Sequence, residues 1–109
     1  MSRSAFVRLD GRRVGTLFEA TGTNSVTFAY DPAYEAAADA VPVSLTLPLG
    51  GGPWTTPGLH PFFAGLLPEG WLRTLVVTKM RVDPNDELGI LMATGADCIG
   101  AVEVLEAES

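Results

Sequence analysis

The feature that most constrains this 109-residue chain is a change of hydrophobic period across the segment Gly50 to Gly58. Before it apolar residues alternate, and after it they recur at roughly 3.6 residues, the spacing of a helix. Phe6-Val7-Arg8-Leu9 and Arg13-Val14-Gly15-Thr16-Leu17-Phe18 flank Asp10-Gly11, a dipeptide whose tolerance of positive φ suits a tight hairpin. Past the turn residues Thr21-Gly22-Thr23-Asn24, the residues Val26, Phe28 and Tyr30 alternate with Ser25, Thr27 and Ala29. That pattern predicts a third strand with one buried and one wet face. Asp31-Pro32 opens an Ala-rich stretch, 33–40, with room for one or two helical turns before Pro42 ends them. Val43, Leu45 and Leu47, alternating with Ser44 and Thr46, predict a fourth half-buried strand closed by Pro48. The Gly, Pro and Thr of Gly50 to Gly58 read as a mobile loop, too short to separate two domains.

Beyond the loop a short helix is expected around Phe62, Phe63, Leu66 and Leu67. Pro68 suits the first turn of the next helix, along which Leu72, Leu75, Val76 and Met80 form an apolar stripe with Trp71 at its edge. Asp83-Pro84 signals a third helix, with Asp83 as its cap and Asp86 and Glu87 facing the positive end of its dipole. Leu88, Leu91 and Met92 supply its apolar face, and Gly95 can end it. An extended run from Ile99 to Leu105 follows. Strands first, helices second and one strand last indicate an α+β fold, a single domain over residues 1–109. The expected sheet is small, mixed or antiparallel, open or barrel-like, and has about five strands. Three short helices lie between the fourth strand and the last, and the last rejoins the first sheet.

Seven Lys and Arg against thirteen Asp and Glu give a net charge of −6, which disfavours sequence-independent contact with a nucleic-acid backbone. The cations are split between Arg3, Arg8, Arg12, Arg13 and a later trio, Arg73, Lys79 and Arg81, without a dense basic patch. The acidic balance instead suits solubility, or steering toward a basic partner. A lone cysteine, Cys98, cannot staple the fold, and its neighbours Ile99, Gly100 and Ala101 are those of a core strand. Without a basic-then-apolar leader or a run of membrane-spanning length, a cytoplasmic location is expected and no membrane partner. Met1 and the acidic end Glu106-Ala107-Glu108-Ser109 read as natural termini.

Catalytic chemistry finds little support. His60, the only histidine, reads as capping or preceding the helix that Pro61 starts rather than as half of a nucleophilic pair. One Cys and one His exclude a structural zinc site on ligand count, and neither a metal nor a cofactor is assigned. Gly50-Gly51-Gly52 is followed by Pro53-Trp54 and not by the Gly-Lys-Ser/Thr of a phosphate-binding loop. The stretch opening at Asp83 has Thr94 where a calcium loop needs glutamate. Kinase catalytic and metal-binding loops are also missing. The chain reads as a binding protein and not an enzyme, and its two tryptophans, Trp54 in the Gly/Pro loop and Trp71 at a helix start, are its best candidate anchors.

Three short motifs occur in order: Leu45-Thr46-Leu47-Pro48-Leu49; Pro61-Phe62-Phe63 leading into Leu66-Leu67-Pro68-Glu69-Gly70-Trp71-Leu72; and Gly95-Ala96-Asp97-Cys98-Ile99-Gly100-Ala101-Val102. Their order and spacing resemble N-terminal subdomain 1 of the HipA family of toxin kinases, and with the opening hairpin the likeness covers nearly the whole chain. The Gly50 to Trp54 loop departs from the family pattern in being richer in glycine. Because Ser109 comes before any kinase domain, the arrangement is similar to that of the HipS antitoxins of three-component HipBST systems. The resemblance implies an antitoxin that binds and neutralises a separate HipT-like serine/threonine kinase, with a HipB-like DNA-binding protein in a ternary complex. The residues expected to bind the partner are Trp71, Glu69, Gly70, Pro68, Phe62 and Phe63 from the motif that carries the resemblance, together with Trp54 as an aromatic in a loop where burial is hard to arrange. Inhibition would be steric, with Trp71 and neighbours obstructing the kinase pocket, or conformational, with the lobes held inactive. Two other readings stand beside it: a non-inhibitory structural subunit that completes the kinase N-lobe, and a protein-level co-regulator of a HipB-type repressor.

Overall fold

The structure, a computed structural model, describes residues 3–20, 25–94 and 102–106. Asp10 and Gly11 both take positive φ, 52° and 79°, the geometry that lets two right-twisted strands meet across a two-residue turn. They join β1 (Arg3–Leu9) to β2 (Arg12–Glu19), with Leu9 opposite Arg12 and Ala5 opposite Leu17. Next come β3 (Ser25–Tyr30) and, later, β4 (Trp54–Pro57), and β5 (Val102–Glu106) returns beside β1 with Val7 opposite Val104. The sheet is five-stranded and antiparallel in the order β4-β3-β2-β1-β5. It stays open, so the barrel-like alternative is set aside.

One face of the sheet carries the core. Ala5, Val7, Leu17, Val26, Phe28, Tyr30 and Val104 are buried there. They are covered by α1 (Pro32–Glu35), the segment 41–49, α2 (Pro61–Ala64) and α4 (Glu87–Thr94), which contribute Tyr34, Leu47, Phe63, Leu88 and Leu91. In α4 Ile90 is buried as well, and Met92 packs at the margin of the core. The remaining helix, α3 (Gly70–Met80), packs on α4. Three helices therefore lie between the fourth strand and the last, as expected.

The fourth strand itself is not where alternation placed it. Residues 43–47 form turns, with Leu45 94% exposed and Leu47 fully buried, so two residues expected on one strand face point oppositely. The cause lies in two tyrosines. The Tyr30 hydroxyl donates to the Leu47 carbonyl at 2.6 Å and accepts from the Val43 amide at 2.9 Å. The Tyr34 hydroxyl likewise donates to the Val41 carbonyl and accepts from the Val41 amide. Backbone groups that would need a neighbouring strand are satisfied by side chains instead. Burial pushes the Tyr30 hydroxyl pKa up, which keeps it protonated as this donor.

The sheet's fourth strand is Trp54–Pro57, inside the stretch expected to be a mobile loop. Trp54 stacks near Phe28 at 6.0 Å between ring centroids and meets Tyr30 edge-on at 5.8 Å. The preceding glycines make room for it: a Cβ on Gly52 would lie 2.5 Å from the indole. Two further local corrections concern helix starts. Pro68 precedes α3 rather than entering its first turn, because Glu69 is the extended N-cap residue and Gly70 opens the helix at φ +59°. The α4 cap is Asp86, whose Oδ1 accepts from the Gly89 amide at 3.1 Å, whereas Asp83 accepts from the Asn85 amide one turn earlier. Gly95, Cys98 and the expected strand positions 99–101 lie outside the described residues.

A long-range ion network ties α4 to the sheet. Arg3 Nε and Nη2 donate to Glu19 at 2.9 and 3.0 Å, and its Nη1 and Nη2 donate to Asp86 at 2.7 and 2.8 Å. The Arg3 hydrogen bonds hold the Asp86 carboxyl below its ordinary value of 3.8.

Two tests follow from these contacts. Tyr30→Phe removes a buried donor and acceptor together and should destabilise by about 1–3 kcal/mol, read as a lower urea midpoint; an unchanged midpoint would refute the tyrosine clamp. Asp86 titrates lower folded than unfolded, so its contribution is complete above pH 3.8 and is lost as pH falls further toward the lowered value. Asp86→Asn keeps a capping oxygen and loses the ion pair. It should cost about 1 kcal/mol at neutral pH and shrink toward no difference from the wild type in strong acid, as urea melts at several pH values would reveal. A constant difference across pH would contradict the ion-pair origin.

Candidate functional site

The junction between α2 and α3 is built from strong local signals. Pro61 sits at the start of α2, and His60 caps it by accepting the Phe62 amide hydrogen bond on Nδ1 at 3.1 Å. This is the capping role expected of His60. Phe63 is fully buried, 5.2 Å from the Phe28 ring, and Phe62 packs against it at the core margin. Gly65, Leu66 and Leu67 continue the turn through amide bonds to Pro61, Phe63 and Ala64. Leu66 and Leu67 also pack against the core, so the chain leaves it firmly anchored. Extended Glu69 and left-handed Gly70 then redirect the backbone, and no side chain crowds Gly70, so glycine is needed there for its dihedral angle rather than for space.

What emerges from this junction is an eleven-residue helix with no buried residue. Trp71 is 78% exposed, and Leu72, Leu75 and Met80 are also exposed. The stripe expected from the sequence is therefore split. Val76 and Val77 are half-buried, while Trp71, Leu72, Leu75 and Met80 face solvent. Trp71 and Leu75 are one turn apart and Leu72 lies beside them, so these three exposed side chains share one side of the helix, while Met80, nine residues after Trp71, projects from the other. Clustered exposure of this kind marks contact surfaces more often than scattered exposure does. At its far end α3 stops at Arg81, in the left-handed region at φ 54°, and the Val82 amide bonds back to the Val77 carbonyl.

The seven residues expected to bind a partner do not form one surface. Pro68, Glu69, Gly70 and Trp71 are contiguous at the α3 entrance, with Glu69, Gly70 and Trp71 exposed. Phe63 belongs to the core and can reach no partner while the domain is folded, and Phe62 supports it. Trp54 is half-buried in the aromatic cluster on the sheet. Leu72, Leu75 and Met80 belong to the exposed surface and were expected only as an apolar stripe; their period marks a helix face but not whether the chain itself covers it. Leu45 on its clamped turn is a second exposed apolar point for which the sequence offers no sign.

A separate open cleft of about 660 Å³ lies between the β3–β4 end of the sheet and the α3–α4 connection, lined by Arg3, Glu19, Gly58, Asp83, Asp86 and Glu87 among others. Its inner carboxylates, Glu19 and Asp86, are already engaged by Arg3. Among the described residues, no group of three or more His, Cys, Asp or Glu side chains could hold a metal ion, and no helix is long and apolar enough to cross a membrane.

Comparisons with known proteins agree with this architecture. An uncharacterised protein of Haemophilus influenzae is 35% identical over 104 residues, covering 95% of this chain and 92% of that protein. The putative kinases Y4mE and Y4dM of Sinorhizobium fredii are 33% and 35% identical over 96 and 109 residues, and the chain covers 23% and 26% of their lengths. The chain thus spans about a quarter of those two relatives while covering nearly all of the first. A solved N-terminal domain of the HipA toxin superposes with a TM-score of 0.75 at 31% identity, covering 98% of this chain and 94% of that one. Residues 5–105 match the HipA N-terminal domain family, and the chain belongs to it.

Proposed function

We propose that this chain acts within a HipA-like toxin–antitoxin system as the antitoxin, binding a separate HipT-like serine/threonine kinase and restraining it. It contributes a surface and no catalysis. The observation that carries this reading is α3, which is anchored at its entrance and yet buries none of its residues, leaving Trp71, Leu72, Leu75 and Met80 open to solvent. An exposed tryptophan is the kind of residue that most often anchors an interface hot spot, and the leucines beside it extend the apolar area that a partner can cover. Glu69 and Gly70 set the direction in which Trp71 is presented, and Pro68 stiffens the approach. Trp54, Phe62 and Phe63 support this surface from within the fold.

A second reading is favoured by the putative kinases, in which the matching region is about a quarter of a longer chain. There the domain is part of the same polypeptide as the remaining three quarters, so this chain could complete a kinase N-lobe without inhibiting it. A HipB-like DNA-binding protein joins either complex as a further protein partner, and the net charge of −6 keeps direct nucleic-acid contact unfavourable.

Co-expression with a HipT-like kinase separates the two. An antitoxin restores growth and co-purifies with the kinase, and Trp71→Ala weakens both by roughly tenfold or more, as expected for a central aromatic anchor. A kinase that is active only when this chain is present makes the chain a structural subunit. Full rescue by Trp71→Ala removes α3 as the site of restraint.

A further inference from the structure

We infer that the partner groove receiving α3 is apolar along its floor and lined with carboxylates where the C-terminal end of α3 lies. This rests on the reading of α3 as the docking face and specifies what that face fits.

The inference comes from where the cations of an acidic chain are used. Of seven Lys and Arg residues, Arg3, Arg12 and Arg13 are ion-paired, with Glu19 and Asp86, with Asp39, and with Asp31. Arg8 donates to the Gly11 carbonyl and Arg73 to the Pro84 carbonyl. Lys79 and Arg81 differ: both are exposed, and among the described residues neither has a carboxylate or hydrogen-bond partner for its side chain. Both lie at the end of α3. Trp71, Leu75 and Lys79 follow one another at i, i+4 and i+8, so the exposed row begins with the indole and ends with an ammonium group about 12 Å further along the axis. Arg81, the left-handed C-cap residue, adds a second exposed cation at the same end of the helix.

The facing acids are few. Glu69 lies at the opposite end of the helix, and Asp83, beyond Arg81, accepts the Asn85 amide. At its C-terminal end the docking face is therefore positive, on a molecule whose net charge is −6. A partner drawn only by overall charge would be basic, and its basic surface would be repelled at this face. A complementary groove must instead supply carboxylates to Lys79 and Arg81 while an apolar floor takes Trp71, Leu72 and Leu75.

The test measures kinase affinity at low and high salt for three proteins: the wild type, Lys79→Glu with Arg81→Glu, and Arg8→Glu with Arg12→Glu. Each double reversal changes the net charge by the same amount, from −6 to −10. The inference expects roughly tenfold weaker binding at low salt for the α3 pair only, with salt weakening the wild type and strengthening that variant, whose new carboxylates are repelled by those of the groove until salt screens them. Lys79→Gln with Arg81→Gln, which opposes neither the helix dipole nor a carboxylate, should give a smaller loss of the same sign. Equal losses in both reversals, or tighter binding by the α3 reversal, would overturn the inference while leaving the docking face intact. No binding by the wild type removes the docking reading and the inference with it, whereas salt-independent wild-type binding removes the inference alone.

Discussion

Phe28 is the side chain on which the arrangement turns. Buried at the middle of β3, it meets Tyr30 edge-on at 4.9 Å, lies over Trp54 and contacts Phe63 at 5.2 Å. Through these rings one sheet position holds three different connections: Trp54 brings in β4, Tyr30 carries the hydroxyl that clamps residues 43–47, and Phe63 fixes α2. Aromatic pairs contribute packing beyond the area they bury, and here they do so across elements remote in sequence. The consequence for function is indirect but physical. With α2 fixed, the direction in which Gly70 launches α3 is fixed as well, and Trp71 is presented from a rigid base.

Some of this was legible in the residues and some was not, for reasons that can be named. The first hairpin is written in Asp10-Gly11, because few other dipeptides accept two successive positive φ values. The β3 face is equally plain in Val26, Phe28 and Tyr30. Val43, Leu45 and Leu47 mislead because alternation reports side-chain character, while strand formation needs a backbone partner, and here two tyrosine hydroxyls take that place. Gly51 and Gly52 look like a flexible run; they are small because the Trp54 indole lies against them. Arg3 and Asp86 are 83 positions apart, so their pairing leaves no trace in local pattern. At the candidate site the sequence motif marks Pro68 to Trp71, but a 3.6-residue period looks the same whether a helix face packs inside its own chain or waits for another.

That ambiguity also frames how the domain is used. In the putative kinases of Sinorhizobium fredii the matching region belongs to a chain about four times as long, whereas the Haemophilus influenzae protein is nearly coextensive with this one. A helix that contributes nothing to its own core makes energetic sense in either setting, because the apolar area left open is buried only when a second surface arrives. The free domain is held together elsewhere, by the sheet, the aromatic cluster and the Arg3 network, so α3 can be optimised for contact without loss of the fold.

The most direct measurement is fluorine NMR of the chain labelled with fluorotryptophan, titrated with the unlabelled HipT-like kinase proposed as its partner, with the two resonances assigned through Trp71→Phe. If α3 is the docking face, the Trp71 resonance shifts or broadens as the complex forms while that of Trp54, held among Phe28 and Tyr30, stays in place. A complex that forms with the Trp71 resonance unchanged would contradict that role.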